Sequence, residues 1–102
     1  MVRGGKIRAQ QDTDEADDLR LDKWIWFARF QRSREACADL IRAGRVRING
    51  QRVVKPGAFI AAGDVLTLAL PGRTVVVEVL ALAQRRGDTD AAQALYRMIS
   101  SP

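Results

Sequence analysis

Histidine is absent from the chain, and cysteine occurs once, at Cys37. Without histidine, the commonest general base and the Ser-His and Cys-His nucleophile arrangements cannot be built. A zinc site of the usual kind cannot be assembled either. A single cysteine excludes an internal disulfide and fits a reducing compartment. Long apolar runs are also missing. The most apolar stretch, Thr74 to Ala83, contains Glu78 and is too short to span a bilayer. Arg3, Lys6 and Arg8 near the start have no apolar segment behind them, so no secretory signal is visible. These absences lead us to expect a cytoplasmic protein with no membrane contact, no metal, no cofactor and no catalysis of its own. At 102 residues the chain is sized for one domain.

What is abundant is positive charge, and it is localised. Residues 1–19 hold three basic and five acidic side chains, residues 20–55 hold ten and three, and residues 56–102 hold four of each. The net charge of +5 therefore comes from one contiguous third of the chain, the footprint of a polyanion binder. Residues 1–18 are polar and end in Asp12, Asp14, Glu15, Asp17 and Asp18, which lack the loop spacing of a calcium motif. They read as a disordered arm before a single domain over 19–99.

Leu21, Trp24, Ile25 and Ala28 fall at i, i+3, i+4 and i+7, which predicts a first helix with one apolar stripe. Ser33 offers an N-cap for a second helix with Cys37, Leu40 and Ile41 on its buried face, and Gly44 suits a left-handed stop. The alternation from Arg45 to Val54 around Asn49-Gly50 predicts a hairpin with a two-residue primed turn. Its register sets Ile48 against Gln51, Arg47 against Arg52 and Val46 against Val53. Lys55-Pro56-Gly57 should end the second strand. Strands are expected over Val65 to Leu70 and Thr74 to Leu82. A last helix capped by Asp88 or Thr89 would carry Ala92, Leu95, Met98 and Ile99 on one face. The fold class is α+β: a two-helix plus β-hairpin motif, a small, mostly antiparallel sheet and a C-terminal helix.

Several features in this pattern carry chemistry. Arg47 and Arg52 would stand directly opposed on the solvent side, an unfavourable pairing that a bound phosphate would relieve and that splaying into water would also ease. Arg29, Arg32 and Arg34 crowd the start of the second helix, where free N–H groups favour an anion. For Arg34, pairing with Asp22, Glu35 or Asp39 is an equal alternative. Trp26 and Phe30, with Lys23 nearby, could stack on bases; the expectation is instead that the final helix covers them. Trp24 and Cys37 read as core.

The run Arg20-Leu21-Asp22-Lys23-Trp24, then Arg29, Ser33-Arg34, Ala38, Leu40-Ile41, Gly44, Val46, Asn49-Gly50 and Lys55-Pro56, resembles the RNA-binding domain named after ribosomal small-subunit protein S-four. Within that superfamily the chain is most similar to the heat-shock protein 15 family, through Arg20-Leu-Asp-Lys-Trp-Ile-Trp, Ala28-Arg-Phe, Gln84-Arg85-Arg86 and Ala94-Leu95-Tyr96. The likeness covers about residues 19 to 97. It implies a surface of two helices and a hairpin that contacts ribosomal RNA, with further strands and a C-terminal helix behind. It also implies action on large ribosomal subunits stalled with a nascent chain on transfer RNA. The positions that would contact RNA are Arg20, Lys23, Arg29, Arg32, Arg34, Arg45, Arg47, Arg52 and Lys55, with Asp22 capping or ion-pairing within the helix pair. Members of the family usually continue into a strongly basic C-terminal extension, whereas the sequence here runs to Pro102; core RNA binding is expected without that extension, and the large-subunit role is the part for which it would supply affinity. Monomeric action is expected. Two other readings compete: a recognition module working with a pseudouridine synthase or methyltransferase, and a basic face for acidic proteins or anionic lipid.

Overall fold

The computed structural model describes residues 19–83 and 86–100, so the expected arm over 1–18 lies outside the described residues. The elements run β1 (Leu19–Arg20), α1 (Leu21–Phe27), α2 (Arg34–Arg42), β2 (Val46–Ile48), β3 (Gln51–Val53), β4 (Phe59–Ile60), β5 (Val65–Leu70), β6 (Arg73–Val79), α3 (Thr89–Gln93) and β7 (Tyr96–Ser100). One sheet has the order β3-β2-β5-β6-β7, with every neighbouring pair antiparallel. A second, two-stranded sheet pairs Leu19 with Ile60 and Arg20 with Phe59. No helix among the described residues is long and apolar enough to cross a membrane.

Period-two alternation in the strands and period-3.6 spacing in the helices converge on one core. Val46, Leu66, Leu68, Val75, Val77 and Val79 line the inner face of the sheet and are fully buried. Against them lie Leu21, Trp24, Ile25, Cys37 and Ile41 from the helix pair, equally buried. Trp24 also donates its indole N–H to the Ala81 carbonyl at 2.9 Å, which fixes α1 to the segment following β6. Burial pushes the Cys37 thiol up to about 12, so it serves as a small apolar filler.

Both helices of the pair end in the same way. Beyond α2, Gly44 takes φ +79, its N–H bonds the Ile41 carbonyl, and the Arg45 N–H bonds the Leu40 carbonyl, which makes a Schellman motif. Beyond α1, Arg29 takes φ +65, with its N–H on Trp26 and the Phe30 N–H on Ile25. Glycine adopts this conformation freely, whereas arginine does so at a cost of roughly 1 kcal/mol.

Two expectations for the C-terminal third need correction. The last helix is a five-residue turn, α3, capped by the Asp88 carboxylate on the Ala91 N–H. Of the four residues expected on its buried face, Ala92 and Leu95 are buried, but Met98 and Ile99 are exposed on strand β7. The spacing of those residues fits a helix, but the free edge of β6 offers a ladder of backbone partners, and ladder pairing prevails. Similarly β6 ends at Val79 and does not reach Leu82, because the Leu80 and Ala81 N–H groups turn to the Leu95 carbonyl.

Candidate nucleic-acid interface

The N-terminus of α1 is closed by backbone. Lys55, Pro56, Gly57 and Ala58 form a turn held by Ala58 N–H to Lys55 O at 3.0 Å. Its Ala58 and Pro56 carbonyls accept from Leu21 and Asp22 N–H, at 2.7 and 3.1 Å. Hence α1 offers no anion site of its own. At α2, Ser33 adopts an extended conformation and its hydroxyl accepts from the Ala36 N–H at 3.0 Å, as expected of an N-cap.

Between these helix starts lies Asp22, 4% exposed. Arg20 grips it with two bonds, Nε at 3.1 Å and Nη2 at 2.9 Å, and Arg34 Nη2 lies 3.5 Å from the same carboxylate. Burial alone would raise the Asp22 carboxyl, but the bonds and charge of Arg20 and the charge of Arg34 outweigh it and hold the group below 3.8. Both arginines keep more than two fifths of their side chains in solvent. One buried carboxylate therefore holds two half-exposed guanidiniums next to each other.

The hairpin forms in the expected register, Val46 with Val53, Arg47 with Arg52 and Ile48 with Gln51. Asn49 (φ +51) and Gly50 (φ +87) make its primed turn. Asn49 also fastens the tip to the sheet. Its N–H bonds Val65 O at 2.7 Å, its Oδ1 accepts from Val65 N–H at 2.9 Å, and its Nδ2 donates to the buried Asp64 carboxylate at 3.1 Å. The opposed arginines part company along the strand. Arg47 donates to the Gly50 carbonyl at the tip, while Arg52 extends past Gly44, where an added Cβ would lie 3.4 Å from its Cδ. Arg52 thereby lies over the C-terminal end of α2, the negative end of the helix dipole. The two guanidiniums are thus drawn apart, one toward the hairpin tip and the other toward the end of α2.

Other candidates fall into two sets. Lys23, Arg32, Arg45, Arg52 and Lys55 make no ion pair or side-chain hydrogen bond to any described residue. Arg29 instead donates from Nε and Nη2 to the Gly87 carbonyl, at 3.1 and 2.9 Å, and so anchors its strained backbone. Trp26 and Phe30 are half-buried and pack against the core, but Met98 and Ile99, expected to help cover them, are exposed on β7. The Arg86 guanidinium lies 4.9 Å over the Trp26 ring, and Phe30 packs on Tyr96 at 4.8 Å. Sequence reasoning passed over Phe59, 53% exposed and paired across the strand with Arg20. The dipeptide Phe59-Ile60 alternates faces, but nothing in the sequence says which residue turns inward. Among the described residues no group of three metal-ligating side chains is found.

The S4 domain model matches residues 19–66, a span holding the helix pair, the hairpin and the start of β5. The heat shock protein 15 homolog of Aeromonas salmonicida is 40% identical over 78 residues, 76% of this chain and 58% of that protein. The small ribosomal subunit protein uS4 of Thermodesulfovibrio yellowstonii is 33% identical over 72 residues, 69% of this chain and 35% of that one. A trimeric structure of Vibrio cholerae heat shock protein 15 superposes with a TM-score of 0.77 at 32% identity, covering 82% of this chain and 84% of that one. The chain spans about three fifths of the length of the curated heat shock protein 15 relatives it matches. These matches are to RNA-binding proteins and not to enzymes.

Proposed function

Because the chain belongs to the heat shock protein 15 family, we propose that residues 19–99 act as one RNA-binding domain that recognises structured ribosomal RNA in the cytoplasm. Its contacts are Arg20, Lys23, Arg29, Arg32, Arg34, Arg45, Arg47, Arg52 and Lys55. Its target is the large ribosomal subunit, stalled or dissociated under stress, with peptidyl transfer RNA attached. The observation that carries this reading is the set of cations left over by the fold. Lys23, Arg32, Arg45, Arg52 and Lys55 have no partner among the described residues, and all five lie on the helix–hairpin unit. Arg20 and Arg34 spend one carboxylate between two positive charges and keep the remainder for solvent.

Such contacts read phosphate spacing and groove shape, not base identity, so affinity should fall steeply with salt. One copy carries all nine cations, which supports action as a monomer; the trimeric relative makes sedimentation velocity of the free protein the natural check. For the target, the test is co-sedimentation with separated ribosomal subunits across a salt series. Binding to isolated large subunits in preference to small subunits and intact ribosomes is the expected result. Equal binding to all three would leave general RNA binding and remove the large-subunit role.

A further inference from the structure

Six aromatic rings occur in the chain, all among the described residues. Five are accounted for by the fold. Trp24 and Phe27 are buried, Phe30 and Tyr96 pack on each other and on Trp24, and Trp26 lies beneath Arg86. Phe59 is the exception at 53% exposed, although its neighbour Ile60 is fully buried. It stands on the short strand β4, directly opposite Arg20 on β1. Directly opposed residues in an antiparallel pair project to the same side, with Cβ atoms about 4.5–5.5 Å apart. The Arg20 guanidinium lies over Gly57, where an added Cβ would be 3.6 Å from Cζ, and it is tied to Asp22 beside Arg34. Exposed Val54 and Lys55 lead into the same turn.

We propose that Phe59 is a stacking platform for one unpaired RNA base, with Arg20 and Arg34 holding the phosphates of the same nucleotide segment. The inference rests on the RNA-binding reading above and adds to it a contact that the cations alone do not provide. A lone exposed apolar side chain is common on protein surfaces. What distinguishes this one is its chemistry and company: a flat π face with a guanidinium-bearing residue directly across the strand, the combination that single-stranded nucleic acid requires. A protein partner would gain from an apolar surround, whereas the residue directly across the strand from this ring is the charged Arg20. The unit would then read two features at once, phosphate pattern through the arginines and an extruded base through the ring.

Two probes test this, an RNA stem-loop carrying 2-aminopurine in its loop and a blunt RNA duplex of equal length. The parent should bind the stem-loop more tightly and change the loop fluorescence. Phe59→Ala should weaken stem-loop binding by about 5- to 150-fold, the range of one lost base stack, leave duplex binding and the salt slope unchanged, and abolish the fluorescence change. Phe59→Trp should retain binding, whereas Phe59→Leu, apolar without a π face, should behave like the alanine variant. Because the ring is exposed, melting temperatures should match the parent. Parent-like stem-loop binding by Phe59→Ala or Phe59→Leu overturns the proposal, as does equal loss on the duplex. So does dispersal of an oligomer by Phe59→Ala with RNA binding intact, which would assign the ring to a protein contact. Arg47→Ala separates the two levels. If it weakens binding while Phe59→Ala does not, the RNA reading stands without the stack; if the parent binds neither probe, both fall.

Discussion

Ten basic side chains stand between Arg20 and Lys55 and four between Pro56 and Pro102, but the two regions differ more in how those charges are held. In the second region Arg97 grips Glu78 at 2.7 Å, and Arg86 bonds the Trp26 carbonyl and covers its ring. These charges work as fasteners, although Arg73 at the β5–β6 turn makes no such bond to a described residue. In the first region, five cations make none and two more share one buried carboxylate. Like charges kept close and unneutralised raise the energy of the free protein, and a polyanion recovers that energy on binding. The sheet half bears the cost of such a surface by supplying most of the buried valines and leucines.

The division can be broken most severely at the residue that joins its halves. Trp24 is fully buried and bonds Ala81, so Trp24→Ala should lose about 3–5 kcal/mol in urea unfolding. The two regions should then unfold together; separate transitions would mean they are independent units. Next in size comes Gly44→Ala, where a Cβ must adopt φ +79 and meet Arg52 at 3.4 Å, with an expected cost of about 1 kcal/mol. At the equivalent helix end, Arg29→Gly relieves backbone strain but loses the Gly87 bonds, so its net change should be the smaller of the two.

A pH titration sharpens the comparison further. The Asp22 carboxyl is held below its ordinary 3.8, so the stability it confers is complete above that value. That contribution is lost as pH falls through the lowered folded-state value. Asp22→Asn should therefore melt below the parent at neutral pH, and the gap should close in acid. A constant gap from pH 7 to pH 2 would mean the ion cluster does not provide the stability.

The first region was largely readable from sequence because its signals are local. Ser33 as cap, Gly44 as stop and Asn49-Gly50 as turn each act within a few residues, and each stands where spacing placed it. The register of Arg47 against Arg52 followed from a two-residue turn. What spacing could not reach was side-chain direction, so the separation of those two arginines toward Gly50 and Gly44 was not foreseen. Phe30 lies beyond the end of α1, where Arg29 turns left-handed, so its four-residue spacing from Trp26 does not fix its direction. The C-terminal third was misread for a different reason. Tyr96–Ser100 is a strand only because the β6 edge is open to it, and that edge is a property of the fold, remote in sequence. The binding candidates follow the same rule: charge density located the region, while Phe59 emerged once β1 and β4 were paired.

The central claim is that the exposed cations of the helix–hairpin unit bind RNA phosphates. Its most direct test is the salt dependence of stem-loop RNA affinity for the parent, Arg47→Ala, Arg52→Ala and Arg97→Ala. The first two variants should weaken binding at every salt concentration and each lower the log–log slope by about one unit. Arg97→Ala, on the far edge of the sheet and paired to Glu78, should match the parent in slope. Equal slopes for all four proteins would contradict the account.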